Sequence, residues 1–188
     1  PSGAVVGTSS LRRAAQVRRL RPDLRVIDFR GNVETRLKKL GDGLADATLL
    51  ALAGLERLGL ASHATAILST DEMLPAVAQG AIGVTCREDD TETRALLAPL
   101  NDAASAAAVA CERSFLARLE GSCKTPIAGL AELGGDTLRF RGLVLTPDGT
   151  GWHEVELSGM ADHAQEIGRD AGAELLARAG PRFMASLA

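Results

Sequence analysis

The sequence predicts an α/β protein that ends in a smaller α+β part with an antiparallel sheet. Up to about Leu74, short apolar runs alternate with helical stretches, the rhythm of βαβ units. Past Thr137 that rhythm gives way to two strand-like runs, Thr137 to Leu145 and Trp152 to Leu157, joined by the turn sequence TPDGTG as in an antiparallel hairpin. With 46% of its 188 residues hydrophobic, the chain can supply one large or two small cores.

Taken in order, Ala4, Val5 and Val6 read as a first strand, and Val26, Ile27 and Phe29 as a second. Asn32 stands where it can cap a helix in which Val33, Leu37 and Leu40 share a face, with Glu34 and Lys38 as an i,i+4 pair. Ala47 to Leu52 reads as a buried strand, Gly54 to Leu60 (GLERLGL) as a helix and Ala64 to Leu68 as a further strand. In Met73 to Arg87, Pro75 and Gly80 mark turns, and Ile82, Val84 and Cys86 alternate as on a strand, so this segment reads as a crossover between domains.

The acidic EDDTETR stretch opens a short helix to Leu97, and Asn101 or Asp102 caps the longest helix, Ala103 to Leu119, which Gly121 ends. Ala164 to Ala179 closes the pattern as a helix with Ile167, Ala171, Leu175 and Ala179 on one stripe, stopped by Gly180 and Pro181. A strand beginning at position 4 leaves no room for the earlier elements of a parallel sheet, so the chain reads as the later part of something longer.

No apolar run approaches the roughly 20 residues of a membrane helix, and PSGAVVGTSS lacks the basic-then-apolar layout of a signal peptide. The expectation is a cytoplasmic protein without a membrane partner. Three cysteines without clustering offer neither a disulfide framework nor a metal site. The formal charge is −3, but up to Lys39 there are ten Lys/Arg against three Asp/Glu, and beyond it eleven against twenty-one.

Within that basic start, Arg12 and Arg13 follow the first strand in VVGTSSLRR, and Arg30 and Arg36 follow the second in VIDFRGNVETR. Each pair sits beside small polar residues and a helix start, where unpaired N–H groups meet guanidinium forks. A hydrogen bond to a charged group contributes roughly 1.5–3 kcal/mol, and an exposed helix terminus only about 0.3–1 kcal/mol. The arginines therefore dominate, and their planar forks suit a polycarboxylate better than Lys does. Arg18, Arg19 and Arg21 read as a solvated basic face.

Of the cysteines, Cys111 stands at helical spacing with Ala108, Phe115 and Leu119 and reads as buried, while Cys86 reads as core from its strand alternation. Cys123, in GSCKTP, lies just past a helix end beside small Ser122 and cationic Lys124, a setting that favours exposure and some thiolate.

VGTSSLRR, FRGNVETRL, ALAGLERLGL, LPAVAQGAIGV and RLEGSCKTPIAG, in this order along nearly the whole chain, resemble the hydroxymethylbilane synthase family, also called porphobilinogen deaminase. The resemblance implies that Cys123 carries a dipyrromethane cofactor through a thioether. On that primer, four porphobilinogen units condense with loss of ammonia, and hydrolysis releases hydroxymethylbilane for tetrapyrrole and heme biosynthesis. Each pyrrole bears an acetate and a propionate, so the resemblance implies that Arg12, Arg13, Arg30 and Arg36 hold carboxylates. Thr8, Ser9, Ser10, Gly31 and Asn32 add hydrogen bonds, with Gln79 and Gly80 carried over from the crossover.

The family further implies a central domain resembling part of a periplasmic binding protein over 1–74, a crossover belonging to the absent first domain over 75–98, and a cofactor-attachment domain over 99–188. The aspartate regarded as the main catalytic group belongs to that first domain, so no catalytic residue is assigned here and the chain alone is expected to be inactive. Ser122 departs from the family's usual Gly. Asp28 and Glu34 are given the role of orienting or neutralising the neighbouring arginines. The N-terminal domain of the same protein is the expected partner, the complete protein being a monomer.

Two other readings compete. One is a non-catalytic carboxylate-binding module without covalent cofactor. The other is nucleic-acid binding, which the composition disfavours: there is no Tyr, one Trp and four Phe, and only Phe29 lies in the basic segment.

Overall fold

The computed structural model describes residues 1–121 and 125–187. The elements run β1 (Val5–Gly7), α1 (Leu11–Leu20), β2 (Arg25–Ile27), α2 (Val33–Gly41), β3 (Ala47–Thr48), α3 (Leu52–Arg57), α4 (Thr91–Leu97), α5 (Ala103–Arg118), β4 (Ile127–Gly134), β5 (Thr137–Leu145), β6 (Trp152–Met160) and α6 (Ala164–Ala185). Among the described residues no helix is long and apolar enough to cross a membrane.

The first sheet is parallel, in the order β2-β1-β3, with Val6 opposite both Val26 and Ala47. The chain moves outward from β1 to β2 through α1 and returns across β1 to β3 through α2. The strand order therefore reverses around β1, and in open α/β sheets the crevice outside the strands' carboxyl ends at such a reversal is where ligands sit.

The second sheet is antiparallel, β4-β5-β6, and carries α5 and α6 on one face. Cys111 and Phe115 of α5, with Leu119 at its C-cap, meet Ile167, Ala171 and Leu175 of α6 over Leu138, Phe140, Val144 and Val155. The rings of Phe115 and Phe140 lie 4.8 Å apart at 56°, a tilted aromatic pair. The two-residue period of β5 buries both of its faces at one end: Val144 joins the helices, while Leu143 and Leu145 join Ala128 and Ala15 of α1.

A clasp reinforces this contact between α1 and the β5–β6 hairpin. Arg18 Nη1 donates to the carbonyl of Pro147 at 2.7 Å, and Arg19 pairs with Glu154 while its guanidinium lies 4.5 Å over the Trp152 ring. At the hairpin tip Gly149 has φ +76, and a Cβ there would stand 2.7 Å from the Ala15 carbonyl oxygen, so only glycine lets the tip seat on the helix. Arg18 and Arg19 thus hold two parts of the molecule together instead of forming a solvated face. Arg21 does stay outside, paired with Asp23 at 2.7 Å.

Other expectations change for reasons of pairing. The strand expected from Ala47 to Leu52 stops at Thr48, and the following helix begins at Leu52, two residues before GLERLGL. Ala64 to Leu68 and the Ile82, Val84, Cys86 alternation form no strand, because no neighbouring strand offers them a ladder. Ile82 is 88% exposed, and Cys86 is exposed instead of core. Lys38 pairs with Asp42 at 2.7 Å and not with Glu34. Gly180 has φ 73 and breaks α6 as expected, but Pro181 restarts it to Ala185.

Asp102 caps α5 by accepting the Ser105 N–H, which holds its carboxyl below the ordinary 3.8. A carboxylate with a depressed folded value stabilises the fold above its unfolded pKa and loses that contribution as pH falls through the folded one. Asp102→Ala is therefore expected to lower the urea midpoint at pH about 7, with the deficit shrinking as pH falls below about 4. A deficit that stays constant down to acid pH contradicts this role.

Candidate functional site

The carboxyl end of β1 leads into a loop whose side chains are spent on turning the chain. Thr8 is buried; its N–H donates to the Ile27 carbonyl at 3.0 Å and its hydroxyl accepts the Ser10 N–H at 3.2 Å. Ser10 then caps α1 by accepting the Arg13 N–H, which sets Arg12 and Arg13 in the first turn. Asn32 repeats this at α2, its Oδ1 accepting the Thr35 N–H at 2.9 Å, and Arg36 follows one turn in. Both caps thus place arginines at helix starts beside the sheet's reversal point.

Those arginines meet at a cleft of about 580 Å³. Its described lining includes Ser9, Ser10, Arg12, Arg13, Arg36 and Gln79, together with Ala76, Val77, Leu116, Thr125 and Ile127. Arg12 donates to the Leu74 carbonyl and, at 3.2 Å, to Gln79 Oε1; Arg13 donates to the Leu49 carbonyl at 3.0 Å. Arg36 donates from Nε to the Gly31 carbonyl at 2.8 Å and from Nη2 to Ser9 Oγ at 3.1 Å. Among the described residues none of the three pairs with a carboxylate, and the described lining contains no Asp or Glu.

The electrostatic cost is visible in the guanidiniums themselves. Burial and then the charge of Arg13 lower Arg12 from 12.5 to about 10, and burial and then the charge of Arg36 lower Arg13. Arg12 and Arg13 stay protonated at neutral pH, and the neighbouring guanidiniums repel one another. Such a cleft attracts a ligand carrying more than one negative charge.

A strap of chain from Leu74 to Gln79 closes one side. Gln16 of α1 both donates to and accepts from the Leu74 backbone at 3.0 Å, while the Gly129 N–H of β4 donates to the Pro75 carbonyl at 3.1 Å. Glu112 of α5, 5% exposed, accepts the Ala131 N–H at 2.8 Å with one oxygen and the Ala78 N–H with the other. Burial raises its pKa, against the pull of those two N–H groups. Ala78 is held at φ 57, an uncommon conformation for a residue with a Cβ, and it precedes the Gln79 that contacts Arg12.

Of the remaining expected residues, Thr8, Arg30, Gly31, Asn32 and Gly80 are not in the described cleft wall. The Arg30 side chain is 82% exposed and pairs with Asp28 at 2.9 Å, so Asp28 neutralises an outward arginine. Gly31 offers its carbonyl to Arg36, Asn32 spends its side chain on the cap, and Thr8 and Gly80 are not in the lining. Cys123, with Ser122 and Lys124, lies outside the described residues; Thr125, two positions on, lines the cleft. Cys111 is fully buried, and burial, then the charge of Glu112, push its thiol up to about 12, which leaves it inert at neutral pH.

Gln16 and Glu112 were not singled out from the sequence, though each carried a signal. Gln16 follows Arg12 by four residues and so shares its helix face, and Glu112 directly follows the apolar run from Ala106 to Cys111 in α5.

A family model described as "Porphobilinogen deaminase, dipyromethane cofactor binding domain" matches residues 1–95, and the family's C-terminal domain matches 106–177. The chain belongs to the porphobilinogen deaminase family. It is 55% identical over 183 residues to the porphobilinogen deaminases of Nitrobacter hamburgensis and Nitrobacter winogradskyi, and 57% identical to that of Paracoccus denitrificans. These alignments take in 97% of this chain and 58% of each relative, so the chain spans a little over half the length of the curated porphobilinogen deaminases it matches.

In this porphobilinogen deaminase family member, Glu112→Ala strands two backbone N–H groups and frees the strap. The expected loss is about 3 kcal/mol in urea unfolding, with Ala78 and Ala131 amides gaining rapid hydrogen exchange. Unchanged exchange at both amides contradicts the assignment.

Proposed function

We propose that the chain is the cofactor-binding and C-terminal portion of a hydroxymethylbilane synthase, an enzyme that condenses four porphobilinogen units into a linear tetrapyrrole on a dipyrromethane held by Cys123. The observation that carries this reading is the cleft in which Arg12, Arg13 and Arg36 stand without a described carboxylate partner. A pyrrole oligomer with two carboxylates per ring supplies the missing negative charge. Thr125 on the wall of the same cleft supports attachment at nearby Cys123.

When bound, the dipyrromethane supplies the pyrrole α-carbon to which further rings are joined. The chain's own residues bind and orient. Arg13 and Arg36, anchored to neutral acceptors, keep N–H groups for carboxylates, and Ser9 and Ser10 add hydroxyls. Arg12 spends donors on the strap and contributes mainly its charge. We place Arg30, Gly31, Asn32 and Gly80 in the supporting structure.

The reversed strand order β2-β1-β3 supports a central unit resembling part of a periplasmic binding protein over 1–74, followed by a crossover over 75–98 and an attachment domain over 99–188. The exposed run around Ile82 and Val84 supports docking of that crossover on the N-terminal domain of the same protein. Because the described cleft contains no acid to manage protons, this chain alone binds without turning over.

Three measurements test the reading. Intact mass of the protein is expected to show a two-pyrrole adduct lost in Cys123→Ser, whereas an unmodified, alkylatable thiol favours the plain carboxylate-binding module. The purified 188-residue chain is expected to release no ammonia from porphobilinogen. Arg13→Ala is expected to weaken pyrrole-carboxylate binding about ten- to a hundredfold, and Arg13→Lys to recover only part of it. Sustained ammonia release, or full affinity in Arg13→Ala, overturns the corresponding claim.

A further inference from the structure

Guanidiniums alone do not separate a carboxylated ring from an aliphatic diacid, because both offer the same charge. The cleft also has an apolar component: Val77 of the strap, Leu116 of α5 and Ile127 of β4 line it beside the arginines. Val77 and Leu116 are part-exposed, and Ile127 is 5% exposed at the edge of the C-terminal core. At about 580 Å³ the space is of small-molecule size and far exceeds that of a bare anion.

Gly121 explains how Leu116 and Ile127 come together. A Cβ at this position would stand 2.5 Å from Ile127 Cδ1 and 2.6 Å from Leu116 Cδ1, so any side chain there displaces one or both. The chain thus leaves a glycine beneath two aliphatic side chains, two positions before Cys123 in the sequence. The cleft has no described aromatic lining, so the surface offered to a ring face is aliphatic.

We propose that Val77, Leu116 and Ile127 form an apolar shelf that takes the faces of pyrrole rings while their acetate and propionate arms reach the guanidiniums. The shelf makes the site selective for carboxylated rings over diacids in general. This inference rests on the carboxylate-binding reading above. Ring faces leaving water for the shelf add affinity in proportion to the apolar area covered, and water excluded there strengthens the neighbouring ion pairs.

The test uses the full 188-residue chain carrying Cys123→Ala, so that no pyrrole is attached, and isothermal titration with two dianions. One is a pyrrole bearing an acetate and a propionate arm; the other is adipate. The parent is expected to prefer the pyrrole about tenfold, with Leu116→Asn abolishing the preference and Leu116→Met keeping it. Gly121→Ala reaches the shelf by a second route and is expected to reduce the preference while leaving adipate binding unchanged. Equal affinity of the parent for both dianions, or an undiminished preference in Leu116→Asn and Gly121→Ala, overturns the shelf and leaves the guanidinium site standing. Failure of the parent to bind either dianion overturns the carboxylate reading itself.

Discussion

Arg12, Arg13 and Arg36 bring three positive charges to one cleft, and the fold satisfies their N–H groups with neutral acceptors: the carbonyls of Leu74, Leu49 and Gly31, the amide oxygen of Gln79 and the hydroxyl of Ser9. A carboxylate partner fixes an arginine equally well but cancels its charge. Elsewhere the molecule uses such partners freely, as in Arg19 with Glu154, Arg30 with Asp28 and Arg139 with Glu156. The contrast separates arginines that hold the protein together from arginines whose charge stays available to a ligand. Holding the unneutralised group there has a cost, visible in the Arg12 and Arg13 guanidinium values, which burial and then a neighbouring arginine's charge lower; under the proposed function a polyanionic ligand offsets it.

Keeping such a cluster in place requires stiff surroundings, because repulsion favours any motion that spreads the charges. The Leu74–Gln79 strap supplies part of this, tied to α1 through Gln16 and Arg12 and to the C-terminal part through Glu112 and Gly129. The clasp of Arg18, Arg19 and Gly149 supplies the rest from the far end of α1. α1 is therefore held at its first turn and its last. Arg141 adds a third tie, reaching from β5 to Asp71 and Glu132.

Local signals in the sequence carried much of this. The caps at Asn32 and Asp102, the α5 core face with Cys111, the β5–β6 hairpin and the break at Gly180 all follow from side chains acting on their own neighbourhood. What escaped depends on distant partners. β4, a run of Ala, Gly, Leu and Glu after Ile127, is poor in the β-branched residues that mark a strand, and it becomes one because β5 lies beside it. Ile82 and Cys86 show the converse, a strand rhythm without a neighbour to complete it. The arginine motif marked three side chains that meet at one cleft, but sequence spacing gives no means of telling that Arg30 turns outward to Asp28 while Arg36, six residues on, turns in.

The division between available and committed arginines is open to direct observation by side-chain NMR of isotope-labelled arginine during a titration with adipate. The Arg12, Arg13 and Arg36 signals are expected to shift together and saturably, with Arg30, Arg19 and Arg139 unmoved. Shifts centred on Arg30, or spread evenly over every arginine, contradict the account.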